Sequence, residues 1–546
     1  MVETQSRHSD DLAAVHPELQ DSASSLVEYV ASRQAALVGK RARNPVAQKH
    51  KSALLGECPK DRDVSIMVTM PAEAATNKSL VAEMLDAGMN VARINCARDD
   101  QETWAAMIRN VRQASQISHK PCKVVMDLAG PKLRTGDLQP GPRVMHLRPR
   151  RDPKGRIIAP RRIRLIPDDV IWQGTKLAVI PVPRECVEYA HPGDDIRFKD
   201  TRGKKRRFKV VDKDDKGLIV ELYKGSYVET GTKLRLRRDK EGEKLSFRVG
   251  ELATIEQPLL LRPGDTLVLH RDPIPGAPAV EGDDGEITKP AHISCRQPEV
   301  FEFVAVDDRI SLNDGKISGF VRHVGSEKLD VEIAKAKPTG SRLRADRGIN
   351  FPDSDIKLPG LTAADKSNLE FIVRCADAVS LSFVRRPSDV LAILEELDRL
   401  KADDIGLIIK IETKKGFKNL TKILLTAMRR YPVAVMIARG DLAVECGWER
   451  LAELQEEMLW ICEAAQVPVI WATQVLEKKA KKGLPSRAEI SDAALSQRAD
   501  CVMLNKGPHI LAAIRMLDDI LRRVQAHQQK KIARIGKHSH HEAHAS

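Results

Sequence analysis

Eight short apolar runs recur along this chain, and helical patterns follow most of them. The runs are Val64–Thr69, Asn90–Asn95, Lys123–Asp127, Ala378–Phe383, Gly406–Ile411, Val433–Ala438, Val467–Ala472 and Cys501–Asn505. Each is β-rich and bounded by polar residues, the pattern of parallel strands covered on both faces. Helical periodicity marks Lys78–Ala87, Asp100–Ile117, Pro387–Lys401, Phe417–Tyr431, Leu451–Ala465, Arg487–Arg498 and His509–Ala526. Eight strands with helical crossovers predict an α/β fold, a closed (β/α)8 TIM barrel rather than an open sheet.

The rhythm breaks after the third run. Between Leu138 and about Phe351 the helical pattern vanishes, and short strand-like stretches alternate with Pro and Gly. A structureless loop of that length is implausible, so a β-rich domain inserted after strand 3 is expected. The predicted organisation is an N-terminal extension (1–60), a first barrel part (61–138), the inserted domain (139–345), a second barrel part (346–527) and a disordered His-containing tail (528–546). In the extension, Leu26–Val38 has the pattern of an amphipathic helix, whereas Lys40–Lys51 is basic and polar. The extension is expected to be solvated and loosely packed.

Composition removes several classes. Hydrophobic residues are 42% and charged residues 30%, which excludes wholesale disorder. No apolar run approaches the ~20 residues of a membrane span, and no secretory signal pattern opens the chain. Nine cysteines stand singly with no C-x-x-C pair, so reduced thiols and a cytoplasmic location are expected. The net charge of +14 is concentrated: residues 143–250 hold 29 Lys and Arg against 16 Asp and Glu, a net +13. Arg202–Arg207 and Arg235–Lys240 stand out. A solvated surface is the plain reading, an electrostatic funnel for anionic substrates the second. Nucleic-acid binding ranks below both, since aromatics are few and no RNA motif is present.

In such a barrel, chemistry sits where the strands end. Strand 2 ends in Arg93-Ile94-Asn95, strand 3 runs from Asp127 through Gly130, Lys132 and Arg134, strand 5 ends in Lys410-Ile411-Glu412, strand 6 leads into Arg439-Gly440-Asp441, and strand 7 ends in Ala472-Thr473. Arg93, Arg134 and Lys410 can neutralise phosphate. Glu412 and Asp441 are hard oxygen ligands suited to Mg²⁺. Thr473 and the backbone amides near Gly440 and Asp441 can hydrogen-bond a carboxylate or enolate. Phosphoryl transfer needs mainly this, positioning and neutralisation of charge. Taken singly each feature is ordinary; Lys410 with Glu412 could be a salt pair and Gly130-Pro131 a turn. Their succession at consecutive strand ends is not ordinary.

At this point the chain resembles the pyruvate kinase family. The matching stretches include MNVARIN, MDLAGPKLRTG, NDGKISG, RGINFPDSDIKLPGLTAADKSNL, IIKIETKKG, VMIARGDLAVE, VIWATQVLE and ADCVMLN. The resemblance implies phosphoryl transfer from phosphoenolpyruvate to ADP, giving ATP and pyruvate. It implies that Glu412 and Asp441 hold Mg²⁺ or Mn²⁺ and that Lys410 stabilises the moving phosphoryl, with Arg93 and Arg134 assisting. Thr473 would lie near the carbon to be protonated, Gly440 and Asp441 would take the substrate carboxylate, and Asn95, Arg134 and Arg347 would lie near the nucleotide. The inserted domain would be a lid, and the helix from Trp448 to Ala465 a subunit contact in a homo-oligomer. No membrane partner is implied.

Four departures qualify this. Two of the four residues of the family's monovalent-cation site are replaced, by Ala97 and Leu128, while Lys132 stands where the family has a glutamate. A lysine there is expected to substitute for K⁺. Asn505-Lys506-Gly507-Pro508 replaces the family's Ser-Gly-Glu-Thr after strand 8, which puts enolpyruvate protonation in doubt. Arg98 replaces a histidine near the nucleotide. The chain ends about twenty residues after the last barrel helix, so no C-terminal regulatory domain is expected. The alternatives are a catalytically weak homologue that binds or senses phosphoenolpyruvate or pyruvate, and a related barrel enzyme of C–C or decarboxylation chemistry.

Overall fold

All eight runs are strands of one closed barrel. The computed structural model describes residues 45–170, 177–237 and 244–542, with side chains described as far as residue 528. The strands are β1 (Ser65–Thr69), β2 (Val91–Asn95), β3 (Lys123–Asp127), β4 (Ala378–Leu381), β5 (Gly406–Ile411), β6 (Val433–Ala438), β7 (Val469–Ala472) and β8 (Cys501–Leu504). They pair in parallel in chain order, and β8 closes on β1 through Ser65↔Cys501 to Val68↔Leu504.

Strand alternation divides each run into two sets of side chains. On β5, Leu407, Ile409 and Ile411 belong to the large core between strands and helices. Ile408 points the other way, into a separate cluster that fills the lumen with Met67, Val91, Val125, Ala434, Ile470 and Met503. The two-residue period then dictates which residues emerge above that plug. Met67 leads to Thr69, Val91 to Arg93 and Asn95, Val125 to Asp127, and Ile408 to Lys410 and Glu412. The barrel floor therefore decides which polar residues share its mouth.

The surrounding helices include α1 (Pro45–Leu55), α2 (Lys78–Asp86), α3 (Gln101–Ser118), α4 (Ala363–Cys375), α5 (Pro387–Arg399), α6 (Leu420–Ala427), α7 (Arg439–Cys446), α8 (Leu451–Ala464), α9 (Glu477–Lys482), α10 (Arg487–Leu495) and α11 (Ile510–Glu542). Several starts are encoded locally. The Asp100 side chain caps α3, and Thr362 with Asp365 and Ser486 with Glu489 form reciprocal capping boxes on α4 and α10.

Two expectations about the ends are corrected. Residues 45–55 are not a loosely packed extension. Leu54 and Leu55 of α1 are fully buried in the lumen cluster, so α1 forms part of its packing. Gly406 makes the space: a Cβ there would stand 2.3 Å from Leu54 Cδ2. The basic character of this stretch concealed two consecutive leucines. At the other end, the backbone of α11 continues to Glu542, where disorder was expected from residue 528. The stretch holds no Pro, and its Gln and Lys residues are compatible with that continuation. The predicted helix Leu26–Val38 lies outside the described residues.

The chain divides into two compact units. Among the described residues, one comprises those up to 133, 297–324 and those from 348, the other those within 134–296 and 325–347. The segment 297–324, expected within the insertion, thus belongs with the barrel. There its antiparallel hairpin Arg309–Leu312 with Ile317–Val324 turns through Asn313, Asp314 and Gly315, all at positive φ. The first strand of that hairpin also pairs with Ile349–Asn350. The second unit contains a seven-stranded sheet. Its core includes Ile163, Leu165, Ile180, Phe208, Val220 and Leu234. Many cations of the basic segment are engaged within this unit: Arg207 pairs with Asp195 at 2.9 Å, Arg164 with Asp214 at 2.6 Å and Arg202 with Asp200 at 2.7 Å.

Candidate active site at the barrel mouth

Lys410 Nζ lies 2.8 Å from Glu412 Oε1, 2.8 Å from Ser382 Oγ and 3.2 Å from Asp127 Oδ2. An ammonium has three N–H donors, and here each has an acceptor. Arg93 donates from Nη2 to the same Asp127 Oδ2 and from Nη1 to Thr69 Oγ1 at 2.9 Å. Residues from β1, β2, β3 and β5, and the residue after β4, are thus joined in one polar network directly above the apolar plug.

The charges in this network are unequal in comfort. Burial would raise the Asp127 carboxyl, but Arg93 and Lys410 outweigh it and hold the carboxyl below its ordinary range. Burial opposes the Lys410 charge, yet Asp127 and Glu412 together keep its pKa above the usual value. Glu412 is the strained member. Burial raises its carboxyl by more than Lys410 and Lys132 lower it, and the nearby Asp441 carboxylate adds to the rise. Glu412 Oε2, Asp127 Oδ1 and Arg93 Nε are all buried with no hydrogen-bond partner. Buried polar atoms are seldom left so. Two orphaned carboxylate oxygens and an orphaned guanidinium N–H within one network are what a bound cation and an oxyanion would satisfy.

Asp441 stands in the first turn of α7. Its Oδ1 pairs with Lys132 Nζ at 2.8 Å, and that nitrogen also sits 5.2 Å from the centre of the Phe383 ring. Thr473 follows β7 with φ +67°, and Gln474 and Leu476 are also left-handed. Positive φ is a genuine outlier for a β-branched residue and costs on the order of 1–3 kcal/mol. It places the Thr473 hydroxyl 2.9 Å from the Gly440 amide, which donates to it. That amide, expected to be open to a substrate carboxylate, is therefore already engaged. Among the described residues, no group of three or more His, Cys, Asp or Glu forms a ready metal cluster; any cation here would rest on the Glu412–Asp441 pair.

Beside the network opens a cavity of about 240 Å³. Thr69, Arg93, Asn95, Arg98, Asp99, Glu477, Lys481, Asn505 and Lys506 contribute its polar lining. Asn95 is braced through Oδ1, which accepts from the Ala97 amide at 3.0 Å. Two further predicted residues, Arg134 and Arg347, belong to the other unit. There Arg134 Nη1 donates to the Asp346 carbonyl at 3.2 Å, and the Arg347 amide donates to Thr135 Oγ1 at 2.9 Å.

Sequence reading overlooked three supports. Ser382 holds Lys410 and donates to the Leu128 carbonyl at 2.6 Å. Its place two residues past Ser380 on the lumen face was the available signal. Arg439, given no role beside Gly440 and Asp441, donates to the Ala472 and Thr473 carbonyls and pairs with Asp492. It also lies 4.8 Å from the Trp471 ring and so anchors the strained end of β7. Glu445 accepts from Asn350 Nδ2 at 2.8 Å, and burial raises its carboxyl; no sequence pattern marked it.

The family model described as "Pyruvate kinase, barrel domain" matches residues 61–152 and 201–508. The chain belongs to the pyruvate kinase barrel-domain family. It is 28% identical over 479 residues to pyruvate kinase PKLR of Rattus norvegicus, covering 85% of this chain and 60% of that protein. It is 32% identical over 333 residues to the pyruvate kinase of Geobacillus stearothermophilus, covering 60% and 53% respectively. With Kluyveromyces lactis pyruvate kinase it shares 36% identity over 216 residues, 38% of this chain and 41% of the relative. The chain thus spans about three-fifths of the length of the first relatives it matches. Among the described residues, no helix is long and apolar enough to cross a membrane.

Proposed function

We propose that this chain transfers the phosphoryl group of phosphoenolpyruvate to ADP, forming ATP and pyruvate, with Mg²⁺ or Mn²⁺ and without a requirement for K⁺. The observation that carries the reading is Lys410, a buried ammonium fixed between Asp127 and Glu412 beside orphaned carboxylate oxygens. The P–O bond to the enolpyruvate oxygen breaks, a P–O bond to the terminal ADP oxygen forms, and the enolate takes a proton at its methylene carbon. Lys410 would give up one present acceptor to a phosphoryl oxygen and hold charge where it develops. Arg93, with Nε unpartnered, would hold a second oxygen. Thr473 is the hydroxyl assigned to the methylene end, and Asn95 with Arg134 and Arg347 is assigned to the nucleotide. Closure of the inserted unit as a lid and a homo-oligomeric state belong to the same reading.

Glu412 and Asp441 fit a divalent cation, because a cation would relieve both the orphaned Oε2 and the repulsion between the two carboxyls. When bound it would supply Lewis-acid neutralisation of substrate oxygens. Mg²⁺ should therefore raise the melting temperature of the protein, and Glu412→Gln should abolish that shift. Lys132, at 2.8 Å from Asp441, supplies a fixed positive charge in place of K⁺. Turnover should be equal in K⁺ and Na⁺ media.

One observation favours the weaker homologue. Asn505 and Lys506 stand at the end of β8, and neither side chain is itself a hydroxyl or a carboxylate that could relay a proton. A coupled assay of pyruvate formation, with Lys410→Met as control, separates the readings. ADP-dependent pyruvate above the control supports the kinase; phosphoenolpyruvate binding with no turnover supports the sensor.

A further inference from the structure

Two hairpins of the inserted unit, 130 positions apart, share one backbone and carry opposite charge. The first pairs Arg150–Arg151 with Ile157–Ala159, the second Val280–Glu281 with Ile287–Lys289. Both have a register irregularity after the first pair: Arg150↔Ala159 then Arg151↔Ile157, and Val280↔Lys289 then Glu281↔Ile287. In both tips the same hydrogen bonds recur. The Asp152 amide donates to the Arg156 carbonyl and the Gly282 amide to the Glu286 carbonyl, each at 2.8 Å. Gly155 and Gly285 both have φ +80°, and each hairpin is followed by a proline, Pro160 and Pro290.

The side chains diverge where the backbone does not. Residues 150–160 carry Arg150, Arg151, Lys154 and Arg156 against Asp152, a net +3. Residues 280–290 carry Glu281, Asp283, Asp284 and Glu286 against Lys289, a net −3. All eight majority charges are exposed, and none forms an ion pair among the described residues. The hairpins therefore do not neutralise each other within one chain. Each also exposes β-branched apolar residues, Ile158 at 58% on the first, Val280 at 51% and Ile287 at 50% on the second. Apolar centres rimmed by charge are the composition of a contact surface.

We propose that the occupant of each hairpin is a second copy of this chain, with the basic hairpin of one copy pairing with the acidic hairpin of the other. Reciprocal contact of this kind, in which i meets j and j meets i, closes a two-fold pair. Opposite charge favours the unlike contact and disfavours both like contacts. A polyanion such as RNA would suit the first hairpin and be repelled by the second.

Two full-length variants test this. One carries Arg150→Glu, Arg151→Glu, Lys154→Glu and Arg156→Glu; the other carries Glu281→Lys, Asp283→Lys, Asp284→Lys and Glu286→Lys. The substituted positions are all exposed, and circular dichroism with thermal melting checks folding. Fluorescently labelled chains are mixed at ~50 mM salt and association is followed by sedimentation velocity. The two variants should associate with each other at least about tenfold more tightly than either does with itself, and ~500 mM salt should erase the difference. Equal association in all three mixtures overturns the proposal. So does an absence of cross-association while the wild type binds heparin through Arg150–Arg156.

Discussion

Lys410 and Arg207 are both cations paired with an aspartate, and they illustrate how differently the two units use charge. The Lys410 side chain is 10% exposed and its partner Asp127 2% exposed. Arg207 is 62% exposed and its partner Asp195 24%. Water screens the second pair and leaves it worth little. The first pair sits in a medium where each charge depends on its neighbours, so removing one exposes the rest. The barrel mouth concentrates few charges into a network with directed chemistry. The inserted unit spreads many charges over a surface, where water screens each pair and little stability rests on any one of them.

The sharpest way to break this contrast is Lys410→Met. Loss of a fixed cation at the site of developing charge is expected to lower turnover by about 10³-fold. A coupled pyruvate assay reads it; activity within a few-fold of wild type would mean that the ammonium is structural. Next in size is Asp127→Asn. It leaves Arg93 and Lys410 buried without their shared carboxylate and should cost about 4 kcal/mol of unfolding free energy, measured by denaturant titration. Its pH dependence has a definite sign. The folded carboxyl is held below its unfolded pKa, so its contribution is full above about pH 4 and fades as pH falls through the folded pKa. Glu412 has the opposite sign. Its folded pKa is raised, so its contribution is present below the unfolded pKa and is lost as pH rises, until a divalent cation offsets it. Wild type and Asp127→Asn should therefore converge in stability only in acid.

A third test removes shape rather than charge. Leu54→Ala should cost about 3 kcal/mol, because the lumen cluster around Leu54 cannot collapse freely against rigid strands. That loss would appear in stability with the mouth residues unaltered.

These contrasts also explain what could be read in advance. The barrel strands were legible because full burial on both faces demands unbroken apolar runs, and two-residue alternation carries that information to the strand ends. Lys410, Glu412, Arg93 and Asp127 follow from it. Leu54 was not legible, because two leucines after a basic stretch look like surface chain until their partner space at Gly406 is known. Arg439 and Glu445 escaped for a related reason. Their roles depend on Ala472, Asp492 and Asn350, contacts made across the fold that leave no local period. The paired hairpins were hidden because alike backbones carry unlike side chains; only the positions of Gly155 and Gly285, and the prolines after them, betray the match.

The smallest effect is the most diagnostic of the contrast. Arg207→Ala removes a cation from the most basic run of the chain and breaks its 2.9 Å pair with Asp195. If basic residues in the inserted unit were structural in the way Lys410 is, unfolding free energy would fall by several kcal/mol. The exposed geometry predicts a change within about 0.5 kcal/mol, smaller still at high salt because screening has already removed most of the attraction. Asp195 is left unpaired but not dry, so no buried charge remains to be solvated. A measured loss above about 2 kcal/mol at both low and high salt would place this pair on the same footing as the buried network, and the division of labour between the two units would fail.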